Sequence, residues 1–216
     1  MFETLFPNIW FWIAVLFGIA LLAAAVAGVI NHFEAHLYRH ERCIRSHVFS
    51  TSVFDKLRQK HSQLAVKDCQ LAARALRTFF LTHLKNRDYL IGMPSRVVDD
   101  LWHEFILDTR EYSAFCNEAF GQYFHHVPSG GLGQGSAEDK SLRRTWHYTC
   151  REENIDPFKP TRLPLLFAID AKLQVASGFH YSLEKQEELS KKTAMERCGG
   201  GGGVAETAVM PTQARG

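Results

Sequence analysis

Asp99, His103, Cys116, His125 and His126 all fall within residues 94–128, interspersed with aromatic side chains. Side chains of these types bind metal ions or move protons. Asp99 and His103 are four residues apart, so on a helix they share one face. A carboxylate in that position takes one ring N–H of the histidine and leaves the other nitrogen free to ligate or act as a base. His103, His125 and His126 form a candidate three-ligand set, with Asp99 behind them as an orienting group. Three protein ligands and one open position suit zinc or another divalent transition metal. The competing reading is structural, with histidine and tryptophan hydrogen bonds tying a helix to its neighbouring loop. Neither HExxH nor a paired CxxC is present, so spacing alone leaves both readings open.

The ligand set places a demand on the elements that carry it. If residues 95–120 were one straight helix, His103 and Gly121 would lie about 27 Å apart. The four residues that follow reach roughly 14 Å, too short to bring His125 and His126 back. A shared site therefore requires a break near residues 107–109. Asp108 followed by Glu111 resembles a capping box that would restart a helix there. Val98, Leu101, Trp102, Phe105, Tyr112, Cys116 and Phe120 fall along one broad apolar face. Trp102, Tyr112, Cys116, Trp146 and Cys150 are expected to be packing residues of this motif. His147 and Cys150, three apart, are a weaker ligand pair beside the Trp146 face.

Elsewhere the apolar spacing is helical, and no stretch shows convincing strand alternation. Helices are expected over residues 49–61, over 69–85 with Asp68 as cap, from 95, over 138–153 and over 165–175, the last stopped by Gly178. Residues 129–136 form a Gly-rich connection, and no Gly-Lys-Ser/Thr follows to make it a phosphate loop. From residue 184 the chain is charged, then rich in Gly and small residues, so 184–216 reads as a disordered tail. The expected class is all-α, with a helical domain over residues 49–183.

The 216 residues suffice for one domain with appendages, and a net charge of +2 without a basic run gives no reason to expect nucleic acid as a partner. Five cysteines without a CxxC argue against a disulfide framework and suit a reducing compartment. Residues 9–30 carry no charge, long enough to cross a bilayer, with Trp10 and Trp12 at one end. A cleaved signal peptide is the alternative, favoured by Ala25-Val26-Ala27 and opposed by the lack of any basic residue ahead of the run. Residues 1–8 carry only Glu3, whereas Arg39, Arg42 and Arg45 follow the span. The expected topology is a single pass through a cell inner membrane, with residues 1–8 outside and the domain in the cytoplasm. Residues 31–48 continue the span as a juxtamembrane helix, where His32, His36 and His40 recur every four residues. A metal bridging His32 and His36 competes there with a plain interfacial helix.

The pattern Pro94, Ser95, Val98, Asp99, Trp102, His103, Thr109, Tyr112, Cys116, Phe120 and Gly121 resembles the glycine-rich domain-containing protein-like family. The His125-His126 pair and the segments TWHYTC and LPLLFAIDAKL resemble its small bacterial members, and residues 198–203 resemble a remnant of their Gly/Cys-rich tail. The resemblance covers about residues 65–183. It implies a domain without assigned catalytic residues. Larger plant relatives carry RNA-recognition modules that have no counterpart here. Two functions follow as expectations. One is a membrane-tethered binding or scaffold module for an unknown protein partner, with or without a histidine metal site. The other is a metal-dependent, hydrolytic enzyme in which His103, His125 and His126 hold the ion and Glu104 or Asp99 serves as base or orienter.

Overall fold

The computed structural model describes residues 7–87, 89–126 and 136–186. Among them every regular element is helical: α1 (Pro7–Ser46), α2 (Thr51–Lys60), α3 (Val66–Lys85), α4 (Arg96–Leu107), α5 (Thr109–Phe120), α6 (Ser136–Glu152) and α7 (Leu165–Lys172). The Gly-rich connection up to Gly135, residues 1–6 and the tail from 187 lie outside the described residues. Residues 183–186, by contrast, still form a helical turn. The chain divides into two compact units, Met1–Arg42 and Cys43–Gly216.

The described residues of the first unit are helix. The expected membrane span and juxtamembrane helix are one continuous element, long and apolar enough to cross a membrane, and its most apolar window is not buried against protein. Length and composition of this kind are also met by a signal sequence near an N-terminus.

In the second unit α3 is the central element and contacts α2, α4, α6 and α7. Its sequence explains this, since Cys69, Ala72, Ala73, Ala75, Leu76, Phe79, Phe80, Leu81 and Leu84 are all buried. A helix that is apolar on several faces is stable only when covered on several faces. The helix begins at Val66, two residues before the Asp68 cap expected from sequence. Ala65 is the N-cap, and the Asp68 carboxylate accepts the Ala65 N–H at 2.9 Å from within the first turn.

Two junctions position α4. Ser95 caps it as expected, its Oγ accepting the Val98 N–H at 3.3 Å. The second junction is Asp170 on α7, which is 1% exposed. Its carboxylate accepts from Ser95 Oγ (2.7 Å), Arg96 N (2.7 Å), Val97 N (3.1 Å) and Phe179 N (2.9 Å). Three of those donors are at the start of α4, where N–H groups lack helical partners and the dipole favours negative charge. The α7 helix ends at Lys172, so Gly178 is not its stop. Gly178 instead allows close approach: a Cβ there would lie 2.7 Å from the Asp170 Cβ.

Replacing Asp170 with Ala leaves a hydroxyl and three N–H donors without their acceptor. The expected cost is about 3 kcal/mol or more, with Asp170→Asn intermediate because it keeps one oxygen. Urea unfolding of the detergent-solubilised chain, followed by circular dichroism, measures it. A loss under about 1 kcal/mol for the alanine variant would refute the role.

Candidate functional site

The break that a shared site requires is present. Helix α4 ends at Leu107, α5 begins at Thr109, and Asp108 lies between them with its N–H on the Phe105 carbonyl. The expected capping box is not its cause, because Asp108 makes no side-chain cap bond. Helix α5 then stops at Gly121, whose φ of 72° is left-handed backbone open to glycine at little cost.

From Gly121 the chain returns along α3 and α4. Phe124 carries this segment into place, its ring stacking on His83 of α3 at 3.9 Å and on Trp102 of α4 at 5.1 Å. Its carbonyl accepts from the Tyr112 hydroxyl, which in turn accepts the Trp102 indole N–H at 3.1 Å. Burial pushes the Tyr112 phenol well above its ordinary pKa, so the hydroxyl keeps its proton and donates. Trp102 and Tyr112 thus fasten a helix to a loop.

Two residues on, His126 reaches the Asp99 carboxylate, Nε2 to Oδ1 at 2.8 Å. His103 lies on the other side of that carboxylate, Nδ1 to Oδ2 at 3.6 Å. The His103 and His126 rings are 4.3 Å apart. One ligand atom from each of Asp99, His103 and His126 falls within 4.8 Å of the others. His125 is not in this group. It is exposed, with its ring against Tyr123 at 4.8 Å. Two histidines and the Asp99 carboxylate therefore meet where three histidines were expected.

The three atoms suit a divalent transition ion in type and number. Ligands at about 2.0–2.1 Å from zinc in a tetrahedron lie about 3.3 Å apart. The two histidines flank different oxygens of the Asp99 carboxylate, His103 at 3.6 Å from Oδ2 and His126 at 2.8 Å from Oδ1, so an ion held through one oxygen would draw one histidine towards it. Asp99 stands in the first turn of α4, where the helix end favours its negative charge. The side chain of His126 is 11% exposed and that of His103 43%, so the set opens to solvent on the His103 side.

The other sequence candidates lie elsewhere. Cys116 and Cys150 are fully buried; burial raises the pKa of both, that of Cys150 to about 12, so both thiols stay protonated near neutrality. Trp146 is a core side chain whose indole N–H bonds the Pro157 carbonyl at 3.2 Å. The ring of His147 lies against Phe158. The four cysteines among the described residues are free thiols.

A family model described as UCP032817-like matches residues 39–201, more than half of the chain. The chain belongs to that family. No curated protein and no solved structure matches it. The UCP032817-like family is uncharacterised and assigns no activity to the site. Its matched span contains Asp99, His103 and His126 and begins inside α1.

Several polar groups around the site were not legible in the sequence. His61 Nε2 contacts Asp100 Oδ2 at 2.9 Å, and Arg96 Nε lies 3.4 Å from the same oxygen. Lys60 Nζ meets the nearly buried Glu104 at 2.6 Å. His47 packs among Phe49, Phe105 and Phe115, and its Nε2 is buried without a partner among the described residues. Burial, then Arg77, lowers the His47 ring to about 4. Burial, then Arg87, does the same to His83.

Both rings are neutral in the fold at pH values where the unfolded chain, with an ordinary value of 6.5, takes up protons. Their contribution is full above about 6.5 and is lost as pH falls towards 4. The thermal midpoint is therefore expected to fall over that window, and His83→Gln to flatten part of the fall. A slope unchanged by His83→Gln would contradict this.

Proposed function

We propose that the chain is a membrane-anchored module that binds a divalent transition metal, zinc or an ion of similar preference, through Asp99, His103 and His126. The observation that carries it is the convergence of three ligand atoms within 4.8 Å from two neighbouring turns of one helix and a returning loop. A structural ion pair accounts for His126, which hydrogen-bonds Asp99. His103 makes only the longer i,i+4 ion-pair contact, its Nδ1 at 3.6 Å from Asp99 Oδ2 and beyond hydrogen-bonding distance. An ion between them would draw all three together.

Binding is favoured over hydrolysis by Glu104, which the enzymatic reading needs as a base. That carboxylate is 5% exposed and engaged with Lys60. Asp99, the other candidate base, belongs to the ligand set. Residues 9–30 provide the contact with the bilayer in this reading. The same reading has the domain on the cytoplasmic side of an inner membrane, which the basic residues Arg39, Arg42 and Arg45 after the span favour. A protein partner is recruited by the domain, with no role for nucleic acid. Kinship with the small bacterial glycine-rich domain-containing proteins belongs to the same reading, on the Trp102-His103 motif and its frame.

Elemental mass spectrometry of the full chain in detergent tests the site. His103→Ala and His126→Ala are expected each to lose one equivalent of metal relative to the unaltered chain. His125→Ala, on the same loop, is expected to lose none. Wild-type metal content in His126→Ala, or loss in His125→Ala alone, would overturn the proposal.

A further inference from the structure

The histidines of α1 are not used by the Asp99 site. His36 and His40 stand four residues apart on one helix, with Nε2 to Nε2 at 3.3 Å and ring centroids 4.3 Å apart. Two ligands about 2.0–2.1 Å from one tetrahedral zinc are separated by about 3.3 Å. The two nitrogens are thus already spaced as the edge of a zinc tetrahedron. From the geometry we infer that His36 and His40 form a second metal site, which chelates a divalent transition ion that prefers imidazole.

The helix makes this favourable. One-turn spacing places both rings on the same side, and the backbone between them is already ordered, so chelation requires no loop to be fixed. At 1.5 Å per residue His36 lies about 9 Å beyond Ile30, outside the uncharged span. The hydrogen bond between the rings puts a proton on one Nε2. Metal binding therefore requires that ring to hold its proton on Nδ1 instead, which frees both Nε2 lone pairs for the ion. The neighbouring His32 is a turn too far to join. Eight residues, about 12 Å along the axis, separate it from His40.

Zinc titration of the full chain in detergent, against a chromophoric chelator, tests the site. The His126→Ala background removes the Asp99 site from the reading. There, His36→Ala/His40→Ala is expected to weaken the remaining zinc binding by at least tenfold, and His32→Ala to change it less than twofold. With Asp99, His103 and His126 intact, the same double variant is expected to retain one equivalent. Equal binding with and without His36 and His40 in the His126→Ala background would overturn the second site and leave the Asp99 site untouched. A dependence on His32 equal to that on His40 would overturn the assignment of the pair. Failure of the Asp99 site reads differently: His126→Ala alone would then bind as the unaltered chain does.

Discussion

One buried carboxylate fixes where α4 begins. Asp170 takes two backbone N–H groups and the Ser95 hydroxyl at that helix start, and the Phe179 N–H from the segment beyond α7. Charge, hydrogen bonding and the helix dipole act in the same direction there. Each residue of a helix turns about 100° from the last. If α4 started one residue later, Asp99, Trp102 and His103 would move a quarter-turn or more from the loop that meets them. The candidate metal site therefore depends on an interaction made by a residue 71 positions away from Asp99 in sequence.

The loop is fixed by aromatic contact and one carbonyl. Phe124 lies between His83 and Trp102, and the Tyr112 hydroxyl holds its carbonyl. Alternation then decides which histidine enters. Phe124 and His126 face the domain, while Tyr123 and His125 are exposed. A non-helical chain that turns Phe124 inward turns His126 inward too, and sends His125 outward. The two adjacent histidines therefore face opposite ways on this backbone.

The helices could be read from local patterns, because apolar spacing and capping residues act over a few positions. Ser95 as the cap of α4 and a break at residues 107–109 are both of this kind, although the capping box expected at Asp108 does not form. What the sequence hid was long-range. The pairings His61–Asp100 and Lys60–Glu104 join residues about forty positions apart, and no local pattern selects them. Nor does local pattern choose between His125 and His126, which differ only in the direction a loop gives them. Asp170 did leave a signal. A single acid inside the apolar run LLFAIDAKL is costly to bury unless several donors meet it. Ser95, read from sequence as a helix start, was one of those donors.

The metal's own environment distinguishes an ion held by Asp99, His103 and His126 from a plain ion pair. X-ray absorption at the zinc edge would be recorded on the His36→Ala/His40→Ala chain loaded with one equivalent. The expected result is a shell of nitrogen and oxygen only, with the outer-shell scattering of two imidazoles. A sulfur scatterer at about 2.3 Å, or a shell without imidazole, would contradict it.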